Sequence, residues 1–272
     1  MIFNFEGYDQ LLPLVTNSLI VGAMLAVVGG LVGVFVINRD MSFAVHGISE
    51  LSFAGASITL LLGGNVLFGS VVGSLLAAIV IGVMGAKAKE RNSITAVLMP
   101  FGLGLGILAL SLYEGRASNK FGLLTGQIVA VDDPQLVSIS IIAAVVVVTL
   151  LIVWRPLTFA SIDSEVAAAR GVATRSLSVL FMVILGLAVA ASIQVVGALL
   201  VLSLLVTPAA AAVRVSRSPF AIPMLSVIFA MVSVLGGILL ALGSNLPISP
   251  YVTSISFAIY LVCRVIEWVK NR

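Results

Sequence analysis

Charge is scarce in this chain. Asp, Glu, Lys and Arg make up 9% of its 272 residues, against about a quarter in an ordinary soluble domain. That excludes a solvated globular surface. Cysteine occurs once, as Cys263, so no intramolecular disulfide can form. There is no G-x-x-x-x-G-K-[S/T] segment, so the chain does not hold ATP in a P-loop. The nearest glycine run, Gly29-Gly30-Leu31-Val32-Gly33, lacks a lysine, sits inside an apolar stretch and reads as a packing feature. No H-E-x-x-H and no Ser/His/Asp set is present, and histidine occurs once, so an intramembrane hydrolase has no nucleophile–base pair. The chain is not read as an enzyme.

What is abundant is apolar sequence: 61% of residues, with mean hydropathy +1.25. A helix needs about 20 apolar residues to cross about 30 Å of hydrocarbon. Nine segments qualify, near 11–37, 43–63, 66–86, 93–113, 135–154, 176–193, 195–213, 221–243 and 250–268. Only Ser192-Ile193-Gln194 separates the sixth from the seventh, so eight spans and one broken element fit nearly as well. The first run lacks a basic n-region and is too long for the apolar core of a signal peptide, so it is expected to be a retained span. The expected fold is an all-α polytopic membrane protein of eight or nine transmembrane helices, with residues 1–272 forming one membrane domain.

The sequence pI near 9.3 suggests a nucleic-acid partner, but the placement of the basic residues does not. With nine spans, all but Arg116 and Lys120 of the 14 Lys and Arg fall on one side. The positive-inside rule makes that side cytoplasmic, with the N-terminus outside and the C-terminus inside. Basic charge here sets topology in the cell membrane; the surroundings are lipid.

The lone histidine stands in Ser42-Phe43-Ala44-Val45-His46-Gly47-Ile48-Ser49-Glu50. On a helix, Ser42, His46, Ser49, Glu50 and Ser57 share one face, within an arc of about 100°. Ala44, Gly47, Ile48, Leu51, Ala54, Gly55 and Ile58 form the other. A carboxylate inside a membrane costs about 2.5–3.5 kcal/mol, so His46 and Glu50 mark a pathway or ligand site. They fit three readings: a His–Glu hydrogen bond tying helices, a proton relay, or half of a metal site. Zinc normally takes four ligands, so two would have to come from elsewhere. The imidazole binds a metal only when neutral, so acid opposes occupancy.

Two further features stand out. Between Arg155 and Arg175, Ser161 is placed to cap a short helix over about 161–172. Asp163 and Glu165 suit its first turn, Ala168 lies in the alanine run that propagates it, and Gly171 suits its end. It reads either as a solvated loop or as a docking knob. In the seventh segment Pro208 removes a helix hydrogen bond, which suits either close packing or a broken, pore-lining helix.

These blocks resemble the membrane permease subunits of zinc/manganese/iron ABC importers. Val34-Phe35-Val36-Ile37 through Met41-Ser42-Phe43 and Ile48-Ser49 is similar to the family's F-V-V-x-R-x-M-[SA]-[LF]-x-[GD]-x-[IL]-S. Phe121-Gly122 to Val131 resembles its F-G-[NQ]-I-L-x-V. Asp163 to Gly171 resembles its D-x-E-x-A-x-A-x-G coupling helix. Gln194 to Ala210 resembles its Q-x-V-G-x-L-L-V…T-P-A-A. In the family the second helix carries D-x-x-x-H, taken as the metal ligands; here His46 and Glu50 hold those positions with the two ligand types exchanged. The resemblance implies a homodimer, two cytoplasmic ATP-binding subunits and an extracellular or periplasmic metal-binding protein. It implies a transported divalent metal, with zinc favoured and manganese or iron as alternatives, and no permanently bound cofactor. Ser42, Ser49 and Ser57 would line the pathway, and Asp163, Glu165, Ala168 and Gly171 would couple to the ATPase. An importer of metal chelates or vitamins and an ATP-independent proton-coupled carrier are the rival readings.

Overall fold

The computed structural model describes residues 12–85, 88–115, 122–124, 126, 131–198, 201–244 and 247–270. After a 3-10 turn at Leu12–Val15, the described helices are α1 (Thr16–Asn38), α2 (Ser42–Leu61), α3 (Val66–Met84), α4 (Ala88–Leu112), α5 (Asp133–Ile162) and α6 (Ser164–Ala169). They continue as α7 (Thr174–Val196), α8 (Val201–Leu205), α9 (Thr207–Val215), α10 (Ala221–Leu242) and α11 (Ile248–Lys270). Eight of these are long and apolar enough to cross a membrane. The all-α polytopic expectation holds. Most of the outer motif at Phe121 to Val131 lies outside the described residues, as do Lys87, Arg116 and Lys120.

Large apolar side chains cover much of the exterior. Ile152, Val97 and Met224 are each about 70% exposed, which only a lipid surround tolerates over so large an area. Inside, one core joins α1, α2, α3, α5 and α7, and a second joins α1, α5, α10 and α11. Phe35 anchors the first, edge-on to Trp154 of α5 at 4.8 Å and to Phe181 of α7 at 5.9 Å. The glycine run of α1 is indeed used in packing. A Cβ on Gly30 would lie 2.6 Å from the backbone of Val227 in α10, so only glycine admits that approach.

The seventh apolar segment is not one helix. Gly197 turns the chain at φ 81°, and α8 and α9 meet at Val206, just before Pro208. Pro208 has no N–H to donate back into α8, and as an early residue of α9 it needs none. The broken segment nonetheless runs parallel to α11. Ser249 Oγ donates to Val196 O (2.7 Å), Ser256 Oγ to Ser203 O (3.1 Å), and Arg214 Nη1 pairs with Glu267 at 3.4 Å. Each rung links residues 53 apart, so the two strips keep register over a rise of about 27 Å.

Two boundaries differ from expectation. Helix α5 runs on past Trp154 to Ile162, through Pro156, and starts from Asp132, whose carboxylate accepts from Gln135 N at 2.9 Å. At 30 residues it is about 45 Å long and overshoots the hydrocarbon. Ser161 therefore belongs to α5, where its hydroxyl donates to Leu157 O (2.6 Å), and it caps nothing. The cap is Asp163, which accepts from Glu165 N and Val166 N at 3.0 and 2.9 Å.

Candidate functional site

Helix α2 is the least apolar of the eight spanning helices and yet largely enclosed, and glycine makes the enclosure possible. On one side α4 lays Gly102 against the Glu50–Leu51 backbone, where a Cβ would come within 2.9 Å of Glu50 C. Gly106 of α4 takes the Phe53 ring, and Gly47 of α2 takes Thr95. On the other side Gly69 and Gly73 of α3 meet Gly55 and Leu51–Ser52. Two small-x-x-x-small pairs thus clamp α2 between α3 and α4.

Within that clamp His46 Nε2 and Glu50 Oε1 stand 3.8 Å apart, one turn apart on the helix. This is beyond hydrogen-bond length, so the helix-tie reading lacks its bond. The Glu50 side chain is 4% exposed and that of His46 30%, which leaves the pair approachable from the imidazole side. His46 Nδ1 and Glu50 Oε2 are both buried and find no hydrogen-bond partner among the described residues. Buried polar atoms are nearly always satisfied, so these orphans point to a missing third party. No cluster of three or more His, Cys, Asp or Glu exists among the described residues. Among the described residues, one chain therefore brings one imidazole and one carboxylate together, and no more.

The serines of the stripe divide. Ser49 Oγ donates to His46 O (2.9 Å) and reaches Ala198 O after α7 (3.4 Å), so its proton is committed to backbone. Ser57 is fully buried with its hydroxyl unpartnered, two turns beyond Glu50. Ser42 opens α2 and is half-buried. Off the stripe, Ser52 Oγ bonds Ser70 (2.8–2.9 Å) and Ser70 Oγ donates to Ala190 O (3.3 Å), tying α2, α3 and α7. The sequence reading passed over Ser52 because its direction falls outside the polar arc. Its signal was a fourth serine in an apolar helix.

Below the pair, the α1–α2 turn is held from α4. Asp40 sits at φ 51°, and Arg91 Nη2 donates to Arg39 O and Asp40 O at 3.1 and 3.2 Å. Arg91 thereby sets where α2 begins and so where His46 stands.

The segment after α5 is a single capped turn. Asp163 caps α6, and Gly171 at φ 85° closes it through Val172 N to Ala167 O and Gly171 N to Ala168 O, both 3.0 Å. That is the Schellman arrangement, which glycine serves best. Ala167 is fully buried; Asp163, Glu165, Ala168 and Gly171 are all exposed. The turn hangs from one alanine and offers its other faces outward.

An apolar-coated helical bundle with an enclosed imidazole and carboxylate on one of its helices is a polytopic membrane protein built around a polar site. Residues 12–267 match the ABC 3 transport family, and the chain belongs to that family. Among its relatives is the manganese import system permease protein ScaB of Streptococcus parasanguinis, 28% identical over 96% of this chain and 94% of that protein. Another is the high-affinity zinc uptake system membrane protein ZnuB of Haemophilus influenzae, 27% identical over 82% and 86%. Of solved structures, PsaBC from Streptococcus pneumoniae in complex with Fab superposes at TM-score 0.81 with 27% identity, covering 91% of this chain and 89% of that one.

Proposed function

We propose that this chain is the permease subunit of an ATP-driven importer of a divalent transition metal, with His46 and Glu50 as its half of the metal site. The observation that supports this most is the pair itself: an imidazole and a carboxylate, 3.8 Å apart and unpartnered on their far atoms. A second copy would complete a two-imidazole, two-carboxylate shell, which suits tetrahedral zinc and also accepts manganese or iron with added water. Zinc is the preferred cargo on that geometry, while the relatives' names include both manganese and zinc. Ser42, Ser49 and Ser57 then lie along the pathway, and Pro208 marks its broken helix.

In this reading residues 1–272 work as one membrane domain in the plasma membrane, N-terminus outside and C-terminus in the cytoplasm. ATP is hydrolysed by two separate cytoplasmic subunits, and metal is delivered by an extracellular or periplasmic binding protein. The exposed α6 turn, through Asp163, Glu165, Ala168 and Gly171, receives the ATPase stroke. Uptake of zinc, manganese and iron into vesicles carrying the assembled transporter tests the reading. ATP-dependent accumulation of at least one metal supports it. Accumulation driven by a proton gradient without ATP favours a relay at the same pair and overturns it.

A further inference from the structure

The arginine-bearing end of the bundle holds a second polar feature, which owes nothing to the metal reading. A cavity of about 470 Å³ opens between the α1–α2 turn, the start of α4, the α5–α6 corner and the start of α7. Arg39, Arg91 and Arg175 line it together with the hydroxyl-bearing side chains of Ser161, Thr174 and Ser178, and no acidic side chain among the described residues does. Asp40 is the nearest carboxylate in sequence, but it is exposed and outside the lining.

The guanidiniums here are only partly used. Arg91 is 8% exposed; its Nη2 holds the two turn carbonyls, but its Nε has no partner. Arg39 donates Nη1 to Ser161 Oγ (3.3 Å) and rests 5.7 Å from the Phe181 ring centre, and its Nε is likewise buried and unpartnered. Burial, and then the neighbouring Arg91, press the Arg39 guanidinium below its ordinary pKa. Guanidinium stays protonated regardless; Asp40 gives Arg91 a partial counter-charge from outside the lining, and the cavity itself carries no carboxylate among the described residues. Two guanidiniums that line a cavity together with hydroxyls, each with hydrogen-bonding capacity to spare, form a receptor for an anion. Guanidinium forks and hydroxyls together match the tetrahedral oxygens of phosphate.

We propose that this cavity binds a phosphate group, carried either by free inorganic phosphate or by the head of an anionic phospholipid. The bound group bridges Arg39 and Arg91 under α2 to Arg175 at the start of α7. Because Ser161 and Ser164 also border the cavity, the anion joins the turn beneath His46 to the corner that carries α6.

The test uses the full-length permease in neutral detergent. One arm titrates inorganic phosphate and follows binding and melting temperature. The other reconstitutes the protein with phosphatidylglycerol or with phosphatidylcholine alone and counts retained lipid by native mass spectrometry. Saturable phosphate binding assigns a free anion. Selective retention of one phosphatidylglycerol per chain without phosphate binding assigns a lipid head. Arg39→Gln and Arg91→Gln should each weaken whichever ligand binds by about tenfold or more, as loss of a charged hydrogen-bond donor does. Arg175→Gln, at an exposed position that folding does not need, should weaken it several-fold, and Ser178→Leu should block it by filling space. Arg155→Gln, on the same end but outside the cavity, should change nothing. Absence of both ligands from the wild-type protein overturns the proposal. So does binding that Arg175→Gln and Ser178→Leu leave intact.

Discussion

His46 Nε2 lies 3.8 Å from Glu50 Oε1, near enough for one ion to touch both and too far for the two to satisfy each other. The glycine clamp explains why the pair can exist. By letting α3 and α4 approach to backbone contact, it removes Glu50 from lipid without supplying a cation for it. The pair is left as an open donor set, which the proposed reading makes half of a coordination shell.

His46→Ala and Glu50→Ala should each lower metal uptake by about 100-fold or more, since even residues behind a metal ligand typically cost 10–100-fold. Complex assembly, followed by co-purification of the ATPase, should be unchanged. The double exchange His46→Asp with Glu50→His gives the D-x-x-x-H order implied by the family resemblance and should transport better than either single alanine variant. Uptake at the wild-type level in both alanine variants would remove the pair from the mechanism.

The clamp makes a prediction that compares two neighbouring glycines. A Cβ on Gly102 meets the Glu50–Leu51 backbone, whereas one on Gly104 meets nothing within 4 Å. Gly102→Ala should cost about 1–3 kcal/mol, the usual overpacking penalty. It should also depress metal uptake by displacing Glu50. Gly104→Ala should leave both melting temperature and uptake alone. Equal behaviour of the two variants would contradict the packing argument.

At the α6 turn, Gly171→Val forces a β-branched residue to φ near +85°, at about 1–2 kcal/mol of local strain. Asp163→Ala removes the cap, at about 1 kcal/mol. Neither touches the cores, so melting of the whole protein should shift little. In the assembled transporter both variants, and Glu165→Lys, should hydrolyse ATP without moving metal. Normal coupling in all three would place the ATPase contact elsewhere.

Topology is open to labelling, because the lone Cys263 is buried and replaceable by serine. On that background Glu165→Cys should react with impermeant maleimide only from the cytoplasmic side, and Asp133→Cys only from the outer side. The reverse pattern would invert the bundle.

Much of this was legible from residues alone. A histidine and a glutamate one turn apart in an apolar helix announce themselves, because nothing local compensates their burial. Gly171 was readable as a stop for the same local reason. The errors were also local: Ser161 and Asp163 are equally good caps by type, and only the return of the Ser161 hydroxyl to Leu157 decides between them. Arg155-Pro156 looks like a helix end, yet α5 continues through it. What the sequence could not disclose was long-range. The contact of Gly102 with Glu50, the Ser52–Ser70–Ala190 link and the parallel rungs beside α11 join residues far apart in the chain. Arg39 and Arg91 read as topology markers until the fold set them side by side.

The central claim is that one chain carries half a metal site, and counting metal tests it most directly. The assembled transporter, loaded with zinc or manganese and freed of excess, should hold one tightly bound ion per two permease chains, lost in His46→Ala. One ion per chain, or the same content in His46→Ala, would contradict the account.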